Sequence, residues 1–209
     1  MLRRFFLKSA LSFTVASSFL GTAVAADTAP RVDVVKIMSL TCPVCRAAEA
    51  HDPAIERAVQ DYGGRFVFAP LPTEAENATG AKERVYYAAR DIDASTASAV
   101  KYSLYKGAQD MGIQLTDYMQ IYTWLSQDAP QLESKFEPLF EKAQGDAASN
   151  ALKRAVRLAS QAGVGALPAY VILVDGQVTA SLDPQAVPGN SLLTLRDEVI
   201  ARVRKLSTR

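Results

Sequence analysis

The pair Cys42-Pro43-Val44-Cys45 stands where one chain periodicity gives way to another. Ahead of it, Val32-Asp33-Val34-Val35-Lys36-Ile37-Met38 is β-branched and apolar, the pattern of a strand buried on both faces. Ser39 to Thr41 turn the chain. Cys45, Ala48, Ile55, Ala58 and Val59 then recur at helical spacing until Tyr62-Gly63-Gly64 stops the run. Pro53 falls inside that run and predicts a kink or a restart of the helix. Arg65-Phe66-Val67-Phe68-Ala69-Pro70-Leu71 reads as a second strand, closed by Pro70 and Pro72. Strand, helix, strand in so short a stretch is a βαβ unit. Its strands should be parallel, with Cys42 at the head of the helix between them.

That placement gives the cysteines a chemistry. Unpaired N–H groups at a helix N-terminus favour negative charge, and a thiolate is the nucleophile of disulfide exchange. Pro43 suits the first helical turn. Cys45, one turn on, can close a disulfide with Cys42 or resolve a mixed one. A purely structural disulfide would close too small a loop to stabilise much. A zinc site would need two more ligands, and the chain's single histidine, His51, cannot supply them.

Composition narrows the class. The 209 residues carry 23 Lys+Arg against 22 Asp+Glu, and 49% are hydrophobic. This is one globular domain with room for an insertion, not a disordered or coiled-coil chain. A net charge of +1 argues against a nucleic-acid binder. Residues 1–25 read as a cleavable signal peptide: Arg3, Arg4 and Lys8 form a basic start, Ala10 to Val24 an apolar run, and Ala23-Val24-Ala25 a small-residue cleavage site. Arg3-Arg4 is compatible with either the general secretory or the twin-arginine route. An uncleaved membrane anchor is the alternative, which the shortness of the run disfavours.

Residues 76–162 contain no strand pattern. Five helical stripes are predicted instead: Val85, Ala88, Ala89, Ile92; Val100, Leu104, Ala108, Met111; Tyr118, Ile121, Tyr122, Leu125; Leu132, Phe136, Leu139, Phe140, Ala143; and Leu152, Ala155, Val156, Ala159. Pro138 predicts a kink in the fourth, and Trp124 is expected to be buried. Strand character returns at Ala169-Tyr170-Val171-Ile172-Leu173-Val174. Asp175-Gly176 signals a hairpin to Gln177-Val178-Thr179-Ala180. Ser191 opens a last amphipathic helix with Leu192, Leu195, Val199, Val203 and Leu206.

Cys-x-x-Cys on a βαβ unit, a long helical stretch, then Gly163-Val164-Gly165-Ala166-Leu167-Pro168 leading into a hairpin and a final helix: in that order the chain resembles the DsbA-like thioredoxin-fold oxidoreductases. The resemblance implies an α/β thioredoxin fold with an inserted all-helical domain. Residues 26–75 and 163–209 would form a discontinuous thioredoxin-like domain, and 76–162 the insertion. It implies catalytic roles for Cys42, Cys45 and Pro168, with Pro168 a cis-proline facing the cysteines. Leu167 and Pro168 would bind substrate, the Leu167 backbone meeting an extended segment. It further implies a monomeric periplasmic thiol:disulfide oxidoreductase that oxidises cysteine-containing exported proteins. A membrane quinone-linked partner would reoxidise it, and no cofactor or metal is required. The same thiols could serve a reductase or isomerase, and a non-enzymatic envelope assembly factor is the rival of another class.

The sequence departs from that family in the residues that would tune the thiolate. Pro43-Val44 replaces the Pro-His of the best-known members, which predicts a weaker oxidant. Six residues before Cys42, where thioredoxin-like proteins often carry a buried acid, stands Lys36. Glu49 matches an acidic position of DsbA-like helices, so Lys36 and Glu49 are expected to meet under the cysteines, the cation lowering the Cys42 pKa. Arg65 is the alternative cation. His51 is expected to pack or face solvent, away from the thiols.

Overall fold

The computed structural model describes residues 30–73 and 79–208. The predicted signal peptide and the start of the insertion, residues 76–78, lie outside the described residues. In chain order the elements are β1 (Val32–Met38), α1 (Pro43–Ala48), α2 (Asp52–Gln60), β2 (Phe66–Pro70), α3 (Ala81–Arg90), α4 (Ala94–Tyr105), α5 (Tyr118–Asp128), α6 (Phe136–Gln144), α7 (Asp146–Gln161), β3 (Ala169–Val174), β4 (Gln177–Leu182) and α8 (Leu192–Ser207). The four strands form one sheet in the order β2-β1-β3-β4. β1 and β2 are parallel, as the βαβ reading requires, and β3 and β4 add antiparallel. The β3–β4 turn puts Asp175 at φ 50° and Gly176 at φ 81°, the left-handed pair of a tight hairpin.

Side-chain alternation divides the core at the sheet. Val32, Val34, Tyr170 and Ile172 face α2 and α8, which present Ile55, Val59, Leu195, Val199 and Val203. Val35, Ile37, Ala69 and Val171 face the helical insertion. Within the insertion α3 is buried almost all round and packs against α4, α6 and α7. The predicted burial of Trp124 holds, at 8% exposed, with its indole N–H donating to the Ser103 carbonyl at 2.8 Å.

Three sequence expectations need correction. The buried face of α7 is a row of alanines, Ala148, Ala151, Ala155 and Ala159, while Val156 is 47% exposed. Small side chains let α7 approach α3 closely, and this outweighs the larger apolar residue beside them. Pro138 makes no kink within α6. It lies in the first turn, where an absent N–H costs little, after a 3₁₀ turn over Pro130–Lys135. The stripe of α4 stops before Met111, because a π-helical turn at Lys106–Asp110 shifts the helical register and leaves Met111 exposed. Pro53 marks a restart: α1 ends at Ala48 and α2 begins at Asp52-Pro53.

Gly64, between α2 and β2, is fixed by close approach. A β-carbon there would lie 1.8 Å from the Val32 carbonyl oxygen and 2.9 Å from Val59 Cγ1. The first of these is strand backbone and cannot swing away. Gly64→Ala should therefore lower the urea midpoint at unchanged slope, by about 2 kcal/mol or more.

Candidate active site

The sheet, one helix end and one turn of the insertion build the thiol site. β1 delivers the chain at Met38. Cys42 then takes the N-cap of α1 with extended backbone angles, and Pro43 opens the helix. The Cys42 sulfur accepts the Cys45 backbone N–H at 3.1 Å. Cys42 is partly exposed and Cys45 is buried, so only the first sulfur faces outside. Val44, between them, is 45% exposed. The Cys42 thiol falls from an ordinary 9.0 to about 6. The largest cause is a hydrogen bond from the Cys45 thiol. Burial opposes it, while the N–H groups of Cys45 and Val44 and the Lys36 charge add to it. Cys45 moves the other way, because its proton is held by Cys42 and its sulfur is buried.

Beneath the cysteines lies a buried charge network. Lys36 shares the strand face of Val32 and Val34 and has no exposed surface. Its ammonium donates to Asp52 Oδ2 at 2.6 Å and to the Cys45 carbonyl at 3.2 Å. Tyr170 donates its hydroxyl to Asp52 Oδ1 at 2.8 Å. The rings of Phe68 and Tyr170 lie 5.6 and 5.8 Å from the ammonium. Burial pushes the Asp52 carboxyl up, and the Lys36 charge and the two hydrogen bonds pull against it.

The expected Lys36–Glu49 meeting does not occur. Glu49 points instead to Lys101 of α4, at 2.8 Å. The break between α1 and α2 is the reason: the restart at Asp52 turns that carboxylate toward β1, while Glu49 stays at the end of α1. Arg65 is no substitute, since it pairs at the surface with Asp33 at 3.0 Å. His51 sits half-buried at the head of α2 and makes no capping bond.

The insertion holds the site from the other side. Gln109, in the π-helical turn, donates to the carbonyls of Leu40 at 3.0 Å and Cys42 at 3.3 Å. Asp110, its neighbour, accepts both guanidinium nitrogens of Arg46 at 2.6 and 3.0 Å. The Leu167–Pro168 bond is cis, and Leu167, Val164 and Cys42 all pack against the same apolar cluster. Sequence reasoning missed Asp52, Tyr170, Gln109 and Lys101. Asp52 carried a signal, standing three residues before Ile55 on the buried stripe of α2. Tyr170 shares a strand face with Ile172. Gln109 and Lys101 carried none.

Among the described residues no group of three or more His, Cys, Asp or Glu side chains could hold a metal ion. A four-stranded thioredoxin sheet, split after β2 by a helical insertion and carrying Cys-x-x-Cys at the head of α1, is the DsbA fold. The chain is similar to Pseudomonas aeruginosa DsbA with a TM-score of 0.65 and 18% identity, over 89% of this chain and 90% of that one. It is similar to SrgA of Salmonella enterica serovar Typhimurium with a TM-score of 0.60 and 19% identity, over 83% and 91%. For NmDsbA1 of N. meningitidis the TM-score is 0.60 and the identity 14%, over 88% and 89%. No protein-family model matches the chain, and no curated protein matches it significantly.

Two outcomes follow from the network. Cys45→Ala should raise the Cys42 pKa more than Lys36→Met, which should raise it by less than about one unit, read from thiolate absorbance across pH. Lys36→Met should also cost about 3–5 kcal/mol by stranding Asp52, with part recovered in Lys36→Met/Asp52→Asn. The lowered Cys42 pKa makes a signed contribution to stability. For the reduced protein it is full above the ordinary 9.0 and is lost as pH falls through about 6. Urea midpoints of reduced protein should climb across that window, and Cys42→Ser should flatten the climb.

Proposed function

We propose that the chain is a periplasmic thiol:disulfide oxidoreductase acting as an oxidase of exported proteins. The observation that carries this is the Cys42 sulfur: partly exposed, accepting the Cys45 amide, and acidified to about 6 on a DsbA fold. The signal pattern of residues 1–25 supports the compartment.

In the oxidised enzyme a substrate thiolate attacks Cys42 Sγ, the Cys42–Cys45 bond breaks, and Cys45 leaves as a thiolate that takes up a proton. The substrate's second thiolate then attacks its own sulfur in the mixed disulfide. Cys42 leaves as a thiolate held by the Cys45 N–H and S–H. Two electrons and one proton have passed to the enzyme, the substrate's other proton going to solvent, and an external membrane quinone-linked acceptor takes the electrons on. Leu167, at the cis bond to Pro168 and packed on the same apolar cluster as Cys42, offers backbone to an extended substrate on this reading, so main-chain bonds give affinity without a demand on sequence.

Val44 sets the strength of the oxidant. Its side chain supplies no charge and no donor to the thiolate, so the reduced form is stabilised by backbone N–H groups, the Cys45 thiol and a buried lysine alone. A thiol near 6 lies between the ~3.5 of a strong oxidase and the ~7 of thioredoxin. The Cys42/Cys45 potential against glutathione should fall between about −120 and −270 mV. A value below that range would make the chain a reductase. Cys45→Ser should accumulate mixed disulfides with exported proteins through Cys42, and their absence would leave only a scaffold role.

A further inference from the structure

A second site lies away from the thiols, between the edge strand β2 and the helices α3 and α4. It is a cavity of about 270 Å³ walled by Phe66, Phe68, Tyr86 and Ala97, with Arg90 and Lys101 among its lining. The two phenylalanines meet edge to face, their ring centroids 5.2 Å apart. Tyr86 is only 4% exposed, yet its hydroxyl makes no hydrogen bond among the described residues. The hydroxyl oxygen keeps accessible surface, so it can donate to a ligand in the cavity.

The charges agree with such an acceptor. Arg90 stacks on Tyr87 at 5.1 Å, and its one ionic contact among the described residues is Asp91 at 3.8 Å, which leaves its donors free. Lys101 sits 3.7 Å over the Phe68 ring and is held there by Glu49, which is not part of the cavity wall. The lining thus offers aromatic faces, two cations, an unpaired O–H and no carboxylate. We propose that this cavity binds a small aromatic carboxylate, its ring held among Phe66, Tyr86 and Ala97, its carboxylate accepting from the Arg90 guanidinium and the Tyr86 hydroxyl. The volume suits a single ring with a short acid arm. The cavity shares Phe68 with the surroundings of Lys36, but binding there needs no thiol exchange, so it stands or falls separately from the proposed function.

Protein-observed NMR with phenylacetate tests it, using phenylacetamide as the neutral isostere. Saturable shifts are expected at Phe66, Phe68, Tyr86 and Ala97. The amide should bind about tenfold more weakly, or ~1.4 kcal/mol. Arg90→Leu should lose about tenfold, and Tyr86→Phe, which removes one oxygen and keeps the packing, roughly threefold. Equal affinity for acid and amide, shifts centred on Cys42 instead, or no saturable shift up to about 20 mM would overturn the proposal, since even weak specific sites of this size reach millimolar affinity.

Discussion

A lysine ammonium with no exposed surface sits under the cysteine-bearing helix α1, and four elements are arranged around it. Moving such a charge out of water costs several kcal/mol, and the cost is offset only where a counter-charge and well-placed acceptors meet it. Asp52 from α2 and the Cys45 carbonyl from α1 accept from it, and Tyr170 from β3 ties the carboxylate's other oxygen. Satisfying Lys36 therefore fixes how α1 and α2 sit on the sheet. The break between the two helices is part of the same solution, because it brings the Asp52 carboxylate down to β1. A cation now occupies the strand position where thioredoxin-like chains often bury an acid. Its sign favours a thiolate above it, and so works in the sense that the absent active-site histidine would have worked.

The cysteine loop is gripped from above as well. Gln109 holds the carbonyls of Leu40 and Cys42, and Asp110 holds Arg46 on the outer turn of α1. Both residues come from the π-helical turn, whose wider coil brings consecutive side chains to the loop. Gly107 makes that coil possible, since a β-carbon there would lie 2.7 Å from the Trp124 indole nitrogen. Trp124 in turn is anchored by its bond to Ser103. The insertion thus contributes the lid that sets the loop's geometry, and its buried tryptophan serves this from a distance.

How much of this could be read from the chain depends on the range of each interaction. The strands were legible because period-two burial and the Asp175-Gly176 turn are local signals. The parallel β1–β2 pairing follows from connection length. Cys42 at a helix head was legible for the same reason. The depth of Lys36 follows from its parity with Val32 and Val34, but its partner did not. Counting along one continuous helix selects Glu49, and only the restart at Asp52-Pro53 rotates the correct acid into place. Gln109 and Lys101 arrive from more than fifty residues away in the chain, and nothing near either of them marks the cysteine helix as its target.

The two sulfurs are made unequal by the same few bonds, and on the proposed reading that inequality is what orders the reaction. The exposed sulfur is the one with N–H donors and the cation nearby, so it is the better leaving group at every step in which it leaves. The buried sulfur keeps its proton and cannot be reached by a bulky substrate. Attack therefore goes to Cys42, and a mixed disulfide forms only there. Release of the substrate's disulfide regenerates a thiolate that the fold already stabilises. Lowering that thiolate's energy makes the oxidised enzyme more eager to accept electrons, whereas a Val44 side chain with neither charge nor donor limits how far it can be lowered. On that reading the strength of the oxidant is set by backbone N–H groups, the Cys45 thiol and one lysine, with no contribution from the side chains of the dipeptide between the cysteines.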